Sequence, residues 1–327
     1  MLSWSESELD LFAVARDLWP RDTLRFALGG SPPSPARVYW PSSADEIAQI
    51  FLDAEAANVA LIIYGAGSGV AGGARSVDGC WVIDTKRMNR IVEVDSSRWT
   101  VRVQAGVIGQ HLEDYLQERG YTLGHSPSSI WCSTLGGWAA ARGAGQFSSR
   151  YGVFEDMVIS VTIVSPGEGV RTVDAQTPIE LAMVLGSEGT LGVIVEMTLR
   201  VVAVAKKRWL RGYKFTSVET AVSAMNALMQ TETWPSVVRL YDPVDTLIGG
   251  KTKPTRERTS PLTALAKRIP TDWAMRIPFS MPKLVNGLAD LAAGECLLIV
   301  GYEGEPAVVE ACSAAGHALL IERSTCP

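Results

Sequence analysis

The chain has 327 residues, an apolar fraction of 47% and a formal net charge of −5. That length accommodates about two domains with buried cores. The acidic balance disfavours nucleic acid as a partner, and no run of about 18 apolar residues offers a membrane span. The start, MLSWSESELDLF, lacks the basic and apolar regions of a secretory signal. Five Cys, none in a CxxC pair, read as reduced thiols of a cytoplasmic protein. His111, His125 and His317 are the only His, so no His-rich metal centre is expected.

In chain order, residues 5–19 are predicted to form a helix, with Leu9, Phe12, Ala13 and Leu18 as its loose apolar face. A Gly/Ser/Pro-rich linker over 29–41 runs into a short strand, ARVYW. Ser43 is a fitting N-cap for the helix EIAQIFLDAEAANV. Strands follow at VALIIY, WVIDT, IVEVD and WTVRVQAG, then a helix over 109–119 closed by Gly120. After residues 124–156 come the strands VISVTIVSP and VRTVD, a short helix over 179–185 and the strand VIVEMTLRVVAV. Beyond Lys206 the strand RWLRGYKF, a helix from Val218 to Met229, and the strand VVRLYD begin a second domain. A polar loop over 249–261, short helices at ALAKRI and LVNGLADLA, the strand CLLIVGYEG and the helix AVVEACSAAGHAL complete it. The pattern is α+β rather than a regular βαβ alternation.

The stretch 124–156 is poor material for a core and good material for backbone lying against a ligand, because Gly and Ala leave no side chain in the way. Ser128, Ser129, Ser133 and Thr134 add hydroxyls. Two further Gly-rich loops share this character. In the first, Gly67-Ser68-Gly69-Val70-Ala71-Gly72 fits G-x-G-x-x-G after a strand. A Rossmann reading fails on spacing. Only GARSVDGC separates Gly72 from the next strand, too little for a crossover helix of about ten residues. Asp84, in the region of a ribose-binding acid, ends a strand reached without a helix. The loop can still wrap a pyrophosphate through backbone N–H groups. Taken alone, each loop also reads as a turn or surface loop without a ligand.

Tyr64-Gly65-Ala66-Gly67-Ser68-Gly69, then Ser133-Thr134-Leu135-Gly136-Gly137-Trp138, then Gly186-Ser187-Glu188-Gly189-Thr190-Leu191-Gly192 occur in this order. Together they resemble the FAD-binding domain of the vanillyl-alcohol oxidase / p-cresol methylhydroxylase (PCMH) superfamily, the FAD-linked oxidases, over about Arg37 to Val204. Within it the chain resembles the alkyldihydroxyacetonephosphate synthase branch and its bacterial relatives. That likeness rests on Gly124-His125 before Pro127, Ser129, Gly137-Trp138, Arg142, Gly145, Tyr151-Gly152 and Glu155-Asp156. Met88-Asn89-Arg90-Ile91 and Arg239-Leu240-Tyr241-Asp242 add to it.

The resemblance implies an N-terminal helix and linker over 1–33 and a PCMH-type FAD-binding domain of two α+β subdomains over 34–204. An incomplete α+β cap or substrate domain would occupy 205–327. It implies that Gly65, Ala66, Gly67, Ser68 and Gly69 lie along the FAD pyrophosphate, with Tyr64 and Val70 also in the cofactor site. Ser128, Ser129, Ser133, Thr134, Ala141, Arg142, Gly143 and Ala144 would line the ribityl chain and flavin ring, with Pro127, Gly136 and Gly137 also in the cofactor site. Glu188, Gly189, Thr190, Leu191, Gly192, Val193 and Ile194 would meet the adenosine or pyrophosphate side. Arg142 is a candidate to offset phosphate or flavin charge; in a loop it also reads as a solvated cation. No His occurs in the first loop, so FAD is expected to be held non-covalently, with no metal.

Two departures stand out: Ser128 replaces the Asp typical of the synthases, and Gln176-Thr177-Pro178 is shorter than their segment there. Relatives continue beyond this C-terminus, so the chain reads as truncated, with the catalytic residues expected after Pro327. The implied function is FAD-dependent oxidoreduction, or flavin-adduct alkyl transfer on a glycerone-phosphate ester in ether lipid biosynthesis. The alternatives are an FAD-dependent 2-hydroxy-acid or alcohol dehydrogenase, and a non-catalytic FAD-binding fragment. The implied partner is a small-molecule or lipid-like substrate; peripheral membrane contact and a homodimer are compatible with this reading.

Overall fold

A computed structural model describes residues 2–243, 245–246 and 295–325. The expected loop at 249–261 and the helices at ALAKRI and LVNGLADLA lie outside the described residues. The chain divides into two compact units, Met1–Val204 and Ala205–Pro327. Both are α+β.

The first unit opens with β1 (Trp4–Ser5), α1 (Glu8–Ala13), α2 (Pro20–Ala27) and β2 (Arg37–Tyr39). Next come α3 (Ala44–Ala57), β3 (Leu61–Tyr64) and β4 (Trp81–Asp84). These strands form a mixed sheet in the order β1-β2-β4-β3, with β4 parallel to both β2 and β3. α3 forms where its pattern predicts. Ser43 Oγ accepts from Glu46 N, and Glu46 Oε2 accepts from Ser42 N at 2.7 Å. Ile47, Ile50 and Ala54 bury one face, and Asn58 ends the helix in the left-handed region. The link from β3 to β4 contains no helix, as the spacing requires.

A second, antiparallel sheet has the order β5-β6-β10-β8-β9. Its strands are β5 (Ile91–Asp95), β6 (Thr100–Gln104), β8 (Val158–Ser165), β9 (Gly169–Asp174) and β10 (Val193–Arg200). Alternate side chains of β6, β8 and β10 (Val101, Val103, Val161, Ile163, Met197, Leu199) are buried. They meet α4 (Gly109–Gln117), α5 (Leu135–Ala140) and α7 (Phe154–Met157) in the largest core. The short helix α6 (Ser148–Tyr151) precedes α7, α8 (Pro178–Val184) precedes β10, and β7 (Tyr121–Thr122) pairs with β11 (Val202–Ala203). A second core joins Ile47, Ile50 and Ile83 to Val164, Val193 and Val195, so α3 and the two sheets share one interior.

The second unit is a three-stranded antiparallel sheet, β12 (Lys207–Phe215), β14 (Cys296–Gly304) and β13 (Val237–Tyr241), in that spatial order. α9 (Val218–Met229) starts with a capping box between Ser217 and Thr220 and buries Ala221, Ala224 and Leu228. α10 (Pro306–Ile321) carries Pro at its start and buries Val309, Gly316 and Leu320.

The helix expected over 5–19 is corrected. α1 stops at Ala13, and Leu9, Phe12 and Leu18 face solvent. Residues 14–19 instead bond to chain about 50 positions away: Ser76 N donates to Ala15 O at 3.1 Å, and Leu18 N to Gly69 O at 2.9 Å. These tertiary bonds satisfy the backbone groups that further helix turns would have used.

Candidate functional site

The first Gly-rich loop leaves the C-terminal end of the parallel strand β3. Tyr64, the last residue of β3, is buried; its hydroxyl donates to Ala13 O at 3.3 Å and Arg16 O at 3.2 Å. Burial, then the carboxylates of Asp84 and Asp17, push its pKa up to about 12, which keeps the phenol a donor. Lys86 Nζ donates to Gly65 O at 3.0 Å and pairs with Asp84 at 2.7 Å. Asp84 is buried and also accepts from Trp40 Nε1 and Lys86 N, so it holds the start of the loop. No backbone N–H of residues 66–71 donates to another described residue.

In the central stretch, the side chains predicted to face a ligand divide into two groups. Thr134 caps α5, accepting from Gly137 N at 3.4 Å. Ser133 Oγ accepts from Trp138 Nε1 at 2.7 Å and donates to Ser129 O at 2.7 Å. Both hydroxyls are buried in the local fold. Pro127 and Ser129 build the turn before α5, with Ile130 N donating to Pro127 O and Ser129 Oγ to Ser133 Oγ. Ser128, Gly137, Ala141, Arg142 and Ala144 are exposed, while Gly136 and Gly143 are half-buried. The Arg142 guanidinium donates to Leu185 O at 3.0 Å and Ala182 O at 2.8 Å, and pairs with Glu155 at 3.2 Å. As placed, it ties the second stretch to α8 and the third loop. Arg142→Met is expected to lower stability by about 1–2 kcal/mol through those carbonyls, read from the urea midpoint; an unchanged midpoint would show the bonds contribute nothing.

In the third loop, Gly186 N donates to Ala139 O at 2.9 Å and Glu188 N to Ala140 O at 3.1 Å. Thr190 Oγ1 donates to Ser187 O, and Leu191 O accepts from Ser165 Oγ. Gly192, Val193 and Ile194 are buried, and the last two start β10 with their side chains in the core.

The structure brings the three loops together. A Cβ on Gly65 would overlap Thr134 Oγ1, one on Gly73 would lie 2.8 Å from Glu188 Oε2, and one on Gly189 would lie 2.9 Å from Ile63. Side chains at these points would push the loops apart. The result is a junction of small residues with the free N–H groups of 66–71 on the first loop. That donor set fits a diphosphate, which needs backbone donors and close approach. A groove of 670 Å³ beside Gly189, Thr190 and Gly192, walled by Phe51, Leu61 and Ile63, adds an apolar surface next to the third loop.

His125 lies behind this junction. It is 2% exposed, against Trp138 at 4.6 Å and Phe154 at 5.2 Å between ring centroids. Neither ring nitrogen has a partner among the described residues, and burial lowers its pKa to about 4, so the imidazole is neutral. Sequence reasoning missed Lys86 and Asp17 as neighbours of the first loop. Asp17 is 1% exposed, with Oδ2 unpartnered among the described residues and 3.6 Å from the Cβ position of Gly69. No local pattern announces it, since its contact spans some fifty residues.

Residues 35–174 match the family described as FAD binding domain. The alkyldihydroxyacetonephosphate synthase of Dictyostelium discoideum is 31% identical over 300 residues, covering 89% of this chain and 46% of that protein. The mitochondrial D-lactate dehydrogenase [cytochrome] of Arabidopsis thaliana is 30% identical over 218 residues, covering 64% of this chain and 38% of that protein. A solved alkyldihydroxyacetonephosphate synthase superposes with a TM-score of 0.79 at 29% identity, covering 98% of this chain and 56% of that one. The chain thus spans less than half the length of these curated relatives. No helix among the described residues is long and apolar enough to cross a membrane. Motif order, fold and comparisons agree: the chain belongs to the FAD-linked oxidase superfamily and is similar to its alkyldihydroxyacetonephosphate synthases.

Proposed function

We propose that this chain holds FAD non-covalently at the junction of its three loops and forms the cofactor half of an alkyldihydroxyacetonephosphate-synthase-like enzyme. The observation that carries this reading is the run of unpaired N–H groups over 66–71, set among small residues where three chain segments meet. Those donors would take the diphosphate. Tyr64, Lys86 and Asp84 hold the start of the loop, so its donors are oriented before any ligand arrives. Ser128, exposed at the edge of the second stretch, offers a hydroxyl to the polar chain of the cofactor. In this reading the second unit, from Ala205 on, corresponds to part of the family's cap or substrate domain. When bound, the flavin supplies the electron-accepting ring on which the chemistry depends.

Similarity to the D-lactate dehydrogenase supports a second reading, oxidation of a 2-hydroxy acid. The two differ in what consumes substrate. Release of fatty acid from acyl-dihydroxyacetone phosphate supports the first; bleaching of the flavin by a 2-hydroxy acid supports the second. A cytoplasmic location belongs to the same proposal, supported by the free thiols of Cys80, Cys132, Cys296 and Cys312.

The visible spectrum of the purified chain tests cofactor binding. Flavin bands, with FAD released into the supernatant on heating, are the expected result. A colourless folded protein that FAD cannot reconstitute would overturn the claim that these loops suffice. Colour that stays with the denatured protein would overturn non-covalent attachment.

A further inference from the structure

α2, with Trp19 before it, Gly30 after it and Arg75, lines a groove of about 720 Å³. Arg21, Leu24, Arg25 and Leu28 line it at helical spacing, so α2 presents alternating cations and apolar groups along one face. Trp19 and Arg75 supply the remaining wall. Arg21 and Arg25 are exposed, and Arg75 is anchored by an ion pair. Arg21 lies over the Trp19 ring at 5.3 Å. The Arg25 stem is packed under Gly30, whose N–H donates to Arg25 O at 2.9 Å and whose Cβ position is 2.8 Å from Arg25 Cγ. Arg75 pairs with Asp22, itself 7% exposed, at 2.7 Å, and donates to Ser76 O.

Asp22 is the one carboxylate in the lining, and Arg75 takes it. Arg21 and Arg25 have no ion-pair partner among the described residues. Next to these cations, Leu24 and Leu28 stand 38% and 57% exposed, an apolar surface left open by the described residues. Guanidinium groups recognise a planar or tetrahedral oxyanion through paired N–H donors. An adjoining wall of Trp and Leu rewards a ligand whose anionic head carries an apolar tail.

We propose that this groove binds a single-chain anionic amphiphile, its phosphate or carboxylate head between Arg21 and Arg25 and its tail along Trp19, Leu24 and Leu28. None of these residues belongs to the flavin site, so the proposal goes beyond that reading and stands or falls apart from it. Its failure would show in the titration alone, and failure of the flavin reading would show in the spectrum alone.

Isothermal titration of the intact chain with dodecyl phosphate, below its micelle concentration, is the test. Parallel titrations use inorganic phosphate, uncharged dodecyl maltoside, and phosphatidylcholine vesicles containing phosphatidylserine. One dodecyl phosphate per chain is the expected result, weakened at least about tenfold in Arg21→Gln/Arg25→Gln by loss of the paired charges. Leu28→Asp should weaken it comparably, and dodecyl maltoside should give no heat. Both Arg side chains are exposed, so a thermal melt matching wild type will certify the double variant. Should it misfold, Arg25→Lys keeps the charge, loses the planar fork, and should still weaken binding several-fold. Inorganic phosphate binding as tightly as the amphiphile would overturn the tail site. Binding indifferent to the Arg variants, binding seen with vesicles alone, or no binding at all would each overturn the proposal.

Discussion

Gly192→Ala should destabilise the FAD-binding unit by about 3 kcal/mol or more, from left-handed backbone strain and overpacking together. Gly192 sits at φ 142°, where the third loop enters β10, and it is buried. A Cβ there would overlap the carbonyl oxygen of Val164 on the neighbouring strand β8, with Ser165 Oγ only 3.0 Å away. The first obstacle is backbone, and the Ser165 hydroxyl is held by its bond to Leu191 O. Relief requires moving β8 against β10, which disturbs the ladder that places the third loop. Flavin content should therefore fall with stability. Gly79→Ala is the control: its φ is 77°, but nothing lies within 4 Å of the added atom. It should show backbone strain alone, about 1–2 kcal/mol. Urea unfolding followed by circular dichroism measures both. Equal losses at the two positions would mean that the close approach of Gly192 to Val164 contributes nothing.

Acid should weaken the same unit through His125. Its pKa is lowered from 6.5 to about 4 by burial. A group with a depressed folded pKa binds its proton later in the folded chain than in the unfolded one. Between pH 6.5 and about 4 the unfolded chain therefore gains a proton that the folded chain refuses, and stability falls as pH falls. Above pH 6.5 the contribution is fully present. The whole window corresponds to about 3 kcal/mol, at 1.36 kcal/mol for each tenfold change in proton affinity. Carboxylates titrate in the same range, so the informative quantity is the difference in slope between wild type and His125→Leu. The variant should lose less stability than wild type between pH 7 and pH 4.5. Parallel pH profiles would show that His125 does not set the acid sensitivity.

The legible parts of the fold were those encoded by near neighbours in the chain. α3 was readable from Ser43, its acidic first turn and the spacing of Ile47, Ile50 and Ala54. β14 and α9 were readable because alternation and helical spacing switch cleanly at Ser217 and Cys296. The short helices α5, α6 and α7 were not, because each spans a turn or two within a Gly- and Ser-rich stretch; α5 and α7 are held mainly by Trp138, Phe154 and Met157 in the core, and α6 by the half-buried Tyr151 against it. The helix expected through residue 19 ended early because Val14, Ala15 and Leu18 found partners on the first loop.

The sequence by itself determined the order and character of the three Gly-rich loops, the lack of a crossover helix between Gly72 and Trp81, and hence the kind of site to look for. Residue type and spacing carry that information, because a loop that must admit backbone close to a ligand excludes bulk at each position. Only the tertiary structure decided which groups stay available. It turned the hydroxyls of Ser133 and Thr134 inward to hold Trp138 and α5, gave Arg142 to the carbonyls of Ala182 and Leu185, and left the N–H groups of 66–71 without partners among the described residues. It also set Asp17 beside Gly69 and Gly65 against Thr134. A hydrogen-bonding group satisfies itself with whatever the fold brings near; the partners of Ser133 and Thr134 are local, while those of Arg142, Asp17 and Gly65 lie about 40 to 70 positions away in the chain, beyond the reach of any local pattern.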